Sequence, residues 1–65
     1  MDADTRHELS TVAIAVHRAL THHQRRDEHD ADLANAPRVT YSPITRALDD
    51  ALDTLRRLLD DAASA

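Results

Sequence analysis

From Ile44 onward, apolar residues return at three- and four-residue steps: Ile44, Leu48, Ala51, Leu52, Leu55, Leu58, Leu59 and Ala62. At about 100° per residue they fall on one stripe of an α-helix, roughly 120° wide, which is broader than one neighbouring helix covers. A chain with this segment is committed to a helical fold with more than one packing partner. Its start is marked by Ser42-Pro43. Serine is a good N-cap, and proline at the first helical position lacks only an N–H that has no partner there.

A second, weaker stripe precedes it. Leu9, Val12, Ala13, Val16, Ala19 and Leu20 share one face of a helix, and Ile14 lies outside that face as an isolated exposed apolar residue. Thr5-Arg6-His7-Glu8 fits the capping-box pattern and predicts a helix start at Thr5. Beyond Leu20 the stripe continues through His23, Asp27, Asp30 and Ala34, so this half of the helix is expected to be more exposed. Asn35 tolerates a left-handed cap, and Pro37 forces Ala36 into an extended conformation. The expected organisation is one domain over residues 1–65, with helix 1 at about 5–33, a connector at about 34–42 and helix 2 at about 43–62. Asp60 and Asp61 oppose the dipole at the end of helix 2, so fraying across Ala62 to Ala65 is expected.

Composition narrows the alternatives. Without glycine the tight hairpin turns of an all-β fold have no natural residue, and with Tyr41 as the sole aromatic the core must be aliphatic. A 65-residue chain is too short to bury a large core, and without cysteine it has no disulfide to compensate. The fold class expected is all-α: an antiparallel two-helix hairpin that pairs into a dimeric four-helix bundle. Two helices sharing one seam would leave Leu52, Leu59 and their neighbours uncovered. The expected interface is Leu9, Val12, Val16, Leu20, Ile44, Leu48, Leu52, Leu55, Leu58 and Leu59. Its occupant is a second copy of the chain or a helix of another protein.

Arg18, His22, Arg25 and His29 stand at steps of four, three and four, opposite the apolar stripe, with Arg26 alongside. Such a row can contact successive phosphates. The net charge of −4, the nearby Asp27, Glu28, Asp30 and Asp32, and the shortage of aromatics weigh for a solvated face, so nucleic acid is the alternative partner. The order Arg38-Val39-Thr40-Tyr41 followed by a helix resembles the opening of ribbon-helix-helix repressors over about 25 residues, and implies a short strand there. That family needs a further helix after the first, which this sequence does not supply, so its function is not carried over.

His23, Asp27 and Asp30 lie on one helix face at ligand spacing and are the candidate metal residues. The Glu-x-x-His repeat of di-iron bundles is missing, since Glu8 and Glu28 are followed at plus three by Thr11 and Ala31. No metal or other cofactor is therefore expected. Asp49-Asp50-Ala51-Leu52-Asp53 resembles the DDxxD motif of prenyl-diphosphate enzymes, which require a large helical cavity that a chain of this size cannot enclose. Ser10, Ser42 and Ser64 have no spacing that recruits a histidine and an acid, so no catalytic residue and no enzymatic activity are expected. No apolar run approaches the roughly 18 residues of a membrane span and the N-terminus is acidic, so a cytoplasmic protein with no membrane partner is expected. The functional expectation is a small interaction or oligomerisation module, a regulator or accessory subunit. The alternatives are a nucleic-acid-binding regulator and a His/Asp metal-binding bundle.

Overall fold

In the computed structural model, which describes residues 1–64, two helices pack against each other: α1, Ala3–Leu33, and α2, Pro43–Ser64. The fold is an all-helical hairpin, with no strand among the described residues. It is elongated, 48 × 16 × 14 Å.

The N-cap of α1 is Asp2, not Thr5. The Asp2 carboxylate accepts the Thr5 N–H at 2.7 Å, and the first helical bond runs from the Arg6 N–H to the Asp2 carbonyl at 3.1 Å. Thr5 thus sits three residues inside the helix, at the position a capping box reserves for glutamate, and Asp2 is the stronger cap. At the other end Asn35 has φ 56°, the left-handed conformation asparagine tolerates. The Ala36 N–H reaches the Ala31 carbonyl at 2.9 Å and the Asn35 N–H reaches Asp32 at 3.1 Å. This pair of bonds is the Schellman closure, which satisfies carbonyls the helix end would otherwise leave open. It substitutes for a glycine the sequence lacks.

Between the helices, Arg38 to Tyr41 form no strand. The ribbon implied by the repressor resemblance is absent from this segment, whose residues run back along α1. Helix α2 continues to Ser64, two residues past the expected end. Ala62 is half-buried and lines a groove with Met1, Ala3, Arg6, His7 and Ser10, so packing against the start of α1 holds the turn that was expected to fray. Ala65, the last residue of that expectation, lies outside the described residues.

The seam follows a three–four alternation on both helices. On α1 it is Leu9, Ala13, Val16, Leu20, then His23 with Gln24, Asp27 and Ala31; facing it are Ser42, Thr45, Leu48, Leu52, Leu55, Leu59 and Ala62. Only Leu20, Leu52 and Thr45 are fully buried, at 5%, 4% and 2% exposure. One expectation is corrected here. Leu52 is in the middle of the intramolecular seam, and Leu59 is half-buried there too, because α2 presents its heptad-spaced leucines directly to α1. Beyond Leu20 the stripe of α1 is more exposed, as expected, although α2 begins against Asp27 and half-covers His23 and Gln24. With so small a core, Leu52→Ala is expected to cost about 2–5 kcal/mol, enough to unfold most of the chain, as a loss of far-ultraviolet helical circular dichroism will show.

Candidate functional site

The most extensively hydrogen-bonded side-chain cluster among the described residues joins the two helices. Residues 34–42 return the chain so that the N-terminus of α2 lies beside Asp27 of α1. One Asp27 carboxylate oxygen, Oδ2, accepts both the Ser42 N–H at 3.0 Å and the Thr45 hydroxyl at 2.7 Å. The Ser42 hydroxyl stands 2.9 Å from the Thr45 hydroxyl and accepts the Thr45 N–H at 3.4 Å, the N-cap geometry expected for Ser42. Next to it, Tyr41 donates its hydroxyl to Glu28 at 3.5 Å. The first turn of α2 carries no acid of its own, so Asp27 brings the negative charge that its N-terminal dipole favours.

These bonds act on the Asp27 carboxyl. The Ser42 N–H first, then the Thr45 hydroxyl, hold it below the ordinary carboxylate range, with a smaller contribution from His23. Asp2 is held low in the same way, by the Thr5 N–H it caps.

Asp27 Oδ2 is therefore engaged in capping α2. His23 is half-buried in the seam, with its ring edge-on to His22 at 5.5 Å, while Asp27 and exposed Asp30 line a groove with Ala31, Ala36, Arg38 and Thr40. Among the described residues no three His, Asp or Glu side chains are gathered for a cation. Asp49, Asp50 and Asp53 are exposed on α2, and Asp53 pairs with Arg57 at 2.7 Å.

The basic row lies on the side of α1 turned away from α2. Arg18, His22, Arg25, Arg26 and His29 are all exposed. Arg18, His22 and Arg25 line one shallow groove with His17 and Thr21, whereas Arg26 and His29 lie outside it. None of the three arginines has a carboxylate within ion-pair distance among the described residues.

The ten expected interface residues divide into two sets. Leu20 and Leu52 are buried, and Leu9, Val16, Leu48, Leu55 and Leu59 are half-buried, all in the seam. Val12, Ile44 and Leu58 remain 48%, 52% and 45% exposed. Ile14 and His17 share a groove with Arg56 on one side of the seam. By the helical period Val12 and Ala19 lie on the opposite side of α1, and Ile44, Ala51 and Leu58 on that same opposite side of α2. The antiparallel register sets Val12 about level with Leu58 and Ala19 with Ala51. One side of the hairpin thus carries an apolar row from Val12 and Leu58 to Ile44, and the other is mainly polar, with Ile14 as its exposed apolar residue.

Sequence reasoning missed the roles of Asp27, Thr45 and Tyr41. Thr45 carried a readable signal: it stands three residues before Leu48, in phase with the leucines at 48, 52, 55 and 59, so a polar group in the seam needed a polar partner. Comparison of the chain with protein-family models, characterised proteins and solved structures finds no match. No helix among the described residues is long and apolar enough to cross a membrane.

Thr45→Val keeps the volume and removes the hydroxyl, so Asp27 Oδ2 keeps only the Ser42 N–H and the Ser42 hydroxyl loses its side-chain partner. A destabilisation of roughly 1–3 kcal/mol in urea titrations is expected. Because the folded Asp27 carboxyl titrates lower than the unfolded one, its contribution is complete above about pH 4 and lost as the pH falls through the lower folded value. Asp27→Asn is accordingly expected to melt several degrees lower at neutral pH and to lose less stability than the wild type on acidification. Parallel thermal melts at neutral and acid pH measure both, and the residual acid loss belongs to carboxyls such as Asp2.

Proposed function

We propose that this chain is a protein–protein interaction module that assembles with a second copy of itself into a four-helix bundle. The observation that carries the reading is the apolar row along one side of the hairpin, in which Val12, Ile44, Ala51 and Leu58 are exposed and Ala19 is half-buried. Leu48, Leu55 and Val16, each half-buried, border it.

Surface area supports the same reading. The hairpin exposes 5165 Å², whereas a compact monomer of its mass exposes about 4,100 Å². Closing two hairpins into a body as compact as one chain of twice the mass removes about 3,500 Å², within the roughly 2,000–5,000 Å² of obligate homodimers. The apolar row supplies the low-charge core such an interface requires. Helices packed as two antiparallel pairs give every leucine of α2 a neighbour. In this role the chain serves as a regulatory or accessory subunit through what it joins, not through chemistry of its own.

Sedimentation equilibrium is expected to return twice the chain mass at micromolar concentration. Leu58→Asp places an unpaired charge in the face and should weaken association by at least about 30-fold, whereas Ile14→Asp, on the polar side, should leave it unchanged. A folded monomer at every accessible concentration, or equal sensitivity of both variants, overturns the reading. A dimer formed only with a different protein would assign the face to a foreign helix.

A further inference from the structure

We propose that the outer face of α1 is a second, independent site, which binds the phosphate backbone of a nucleic acid duplex without reading its sequence. This goes beyond the assembly reading and does not depend on it, because the face points away from both α2 and the apolar row.

The charge distribution is the starting point. Although the chain carries −4, the α1 segment of residues 9–26 contains Arg18, Arg25 and Arg26, with His17, His22 and His23, and no aspartate or glutamate. The nearest acids begin only where this segment ends, and there Asp27 turns into the seam against Ser42 and Thr45 while Glu28 accepts the Tyr41 hydroxyl. What remains is a positive strip whose arginines have no ion-pair partner among the described residues. Its centre is the groove lined by His17, Arg18, Thr21, His22 and Arg25, with no carboxylate in its lining. Arg18 and Arg25 stand two turns apart, about 10 Å along a straight rod, so they meet a linear array of anions and not a single one.

The class of ligand follows from what the strip offers and lacks. A net negative protein gains no long-range attraction for anions, so binding must be driven locally. Duplex DNA or RNA carries condensed counterions whose release rewards each local phosphate contact, which an acidic peptide does not provide. Base stacking on a single strand needs aromatic platforms, and the sole aromatic, Tyr41, is on the connector beside Glu28. Gln24, the one amide side chain of this segment, is half-buried against α2, which leaves base edges only to the arginines that the phosphates engage. Backbone contact without base readout is what remains.

The test is fluorescence anisotropy of a labelled mixed-sequence duplex of about 20 base pairs, titrated with the full chain from about 20 to about 150 mM salt. Expected are binding at low salt, indifference to a change of duplex sequence, and a log–log salt slope near −2 to −3, for two to three phosphates. Arg18→Gln with Arg25→Gln should weaken binding at least about tenfold and bring the slope near −1, while Arg18→Lys with Arg25→Lys, which keeps the charge, should retain it. Arg46→Gln, on α2, should bind as the wild type does, and circular dichroism should show equal helicity in all variants. The proposal is overturned by flat anisotropy at the lowest salt. An equal loss in Arg46→Gln, or displacement by polyglutamate as effective as by unlabelled duplex, overturns it too.

Discussion

The Asp27 carboxylate, shared between the Ser42 N–H and the Thr45 hydroxyl, is the contact on which the register of the hairpin depends. A nine-residue connector fixes no register alone, and a sliding helix pair finds a new apolar match at every heptad. By holding the first turn of α2 opposite one position of α1, Asp27 decides which leucines meet. Leu20 and Leu52 are then buried together in the middle of the molecule, and Ala62 reaches the beginning of α1. Burial supplies the driving force and the polar contact selects among arrangements that burial alone would leave close in energy.

The same register separates the surfaces. Once the leucines at 48, 52, 55 and 59 face α1, the remaining apolar residues of α2 fall at 44, 51 and 58, one heptad apart. They join Val12 and Ala19 on a single side. The basic residues of α1 are left opposite the seam, and the acidic residues of α2 on its own outer surface. Each functional proposal thus rests on a different side of one thin body, which is why neither competes with the other for residues.

Much of the fold was legible in the sequence. Ser42-Pro43 announces the start of α2, Asn35 announces the turn after α1, and the leucine period announces the seam. The N-cap of α1 was misread because Thr5 and Glu8 satisfy the capping-box pattern while Asp2 does so more strongly three residues earlier. The division of the apolar residues was harder. A stripe about 120° wide does not say which of its edges faces the partner, so Leu52 was placed with the uncovered residues although it is the most buried leucine of the chain. Asp27 was illegible for a different reason. Its partners lie 15 and 18 residues away, and no periodicity connects a helix residue to the cap of another helix.

The two ends of the seam are held by different forces. At the connector end the helices are joined by hydrogen bonds to a carboxylate; toward the termini the seam is lined mainly by leucine, valine and alanine. Apolar attraction weakens on cooling, whereas hydrogen bonds to a charged group do not share that temperature dependence. Cooling is therefore expected to loosen the hairpin first at its open end, and acid first at Asp27.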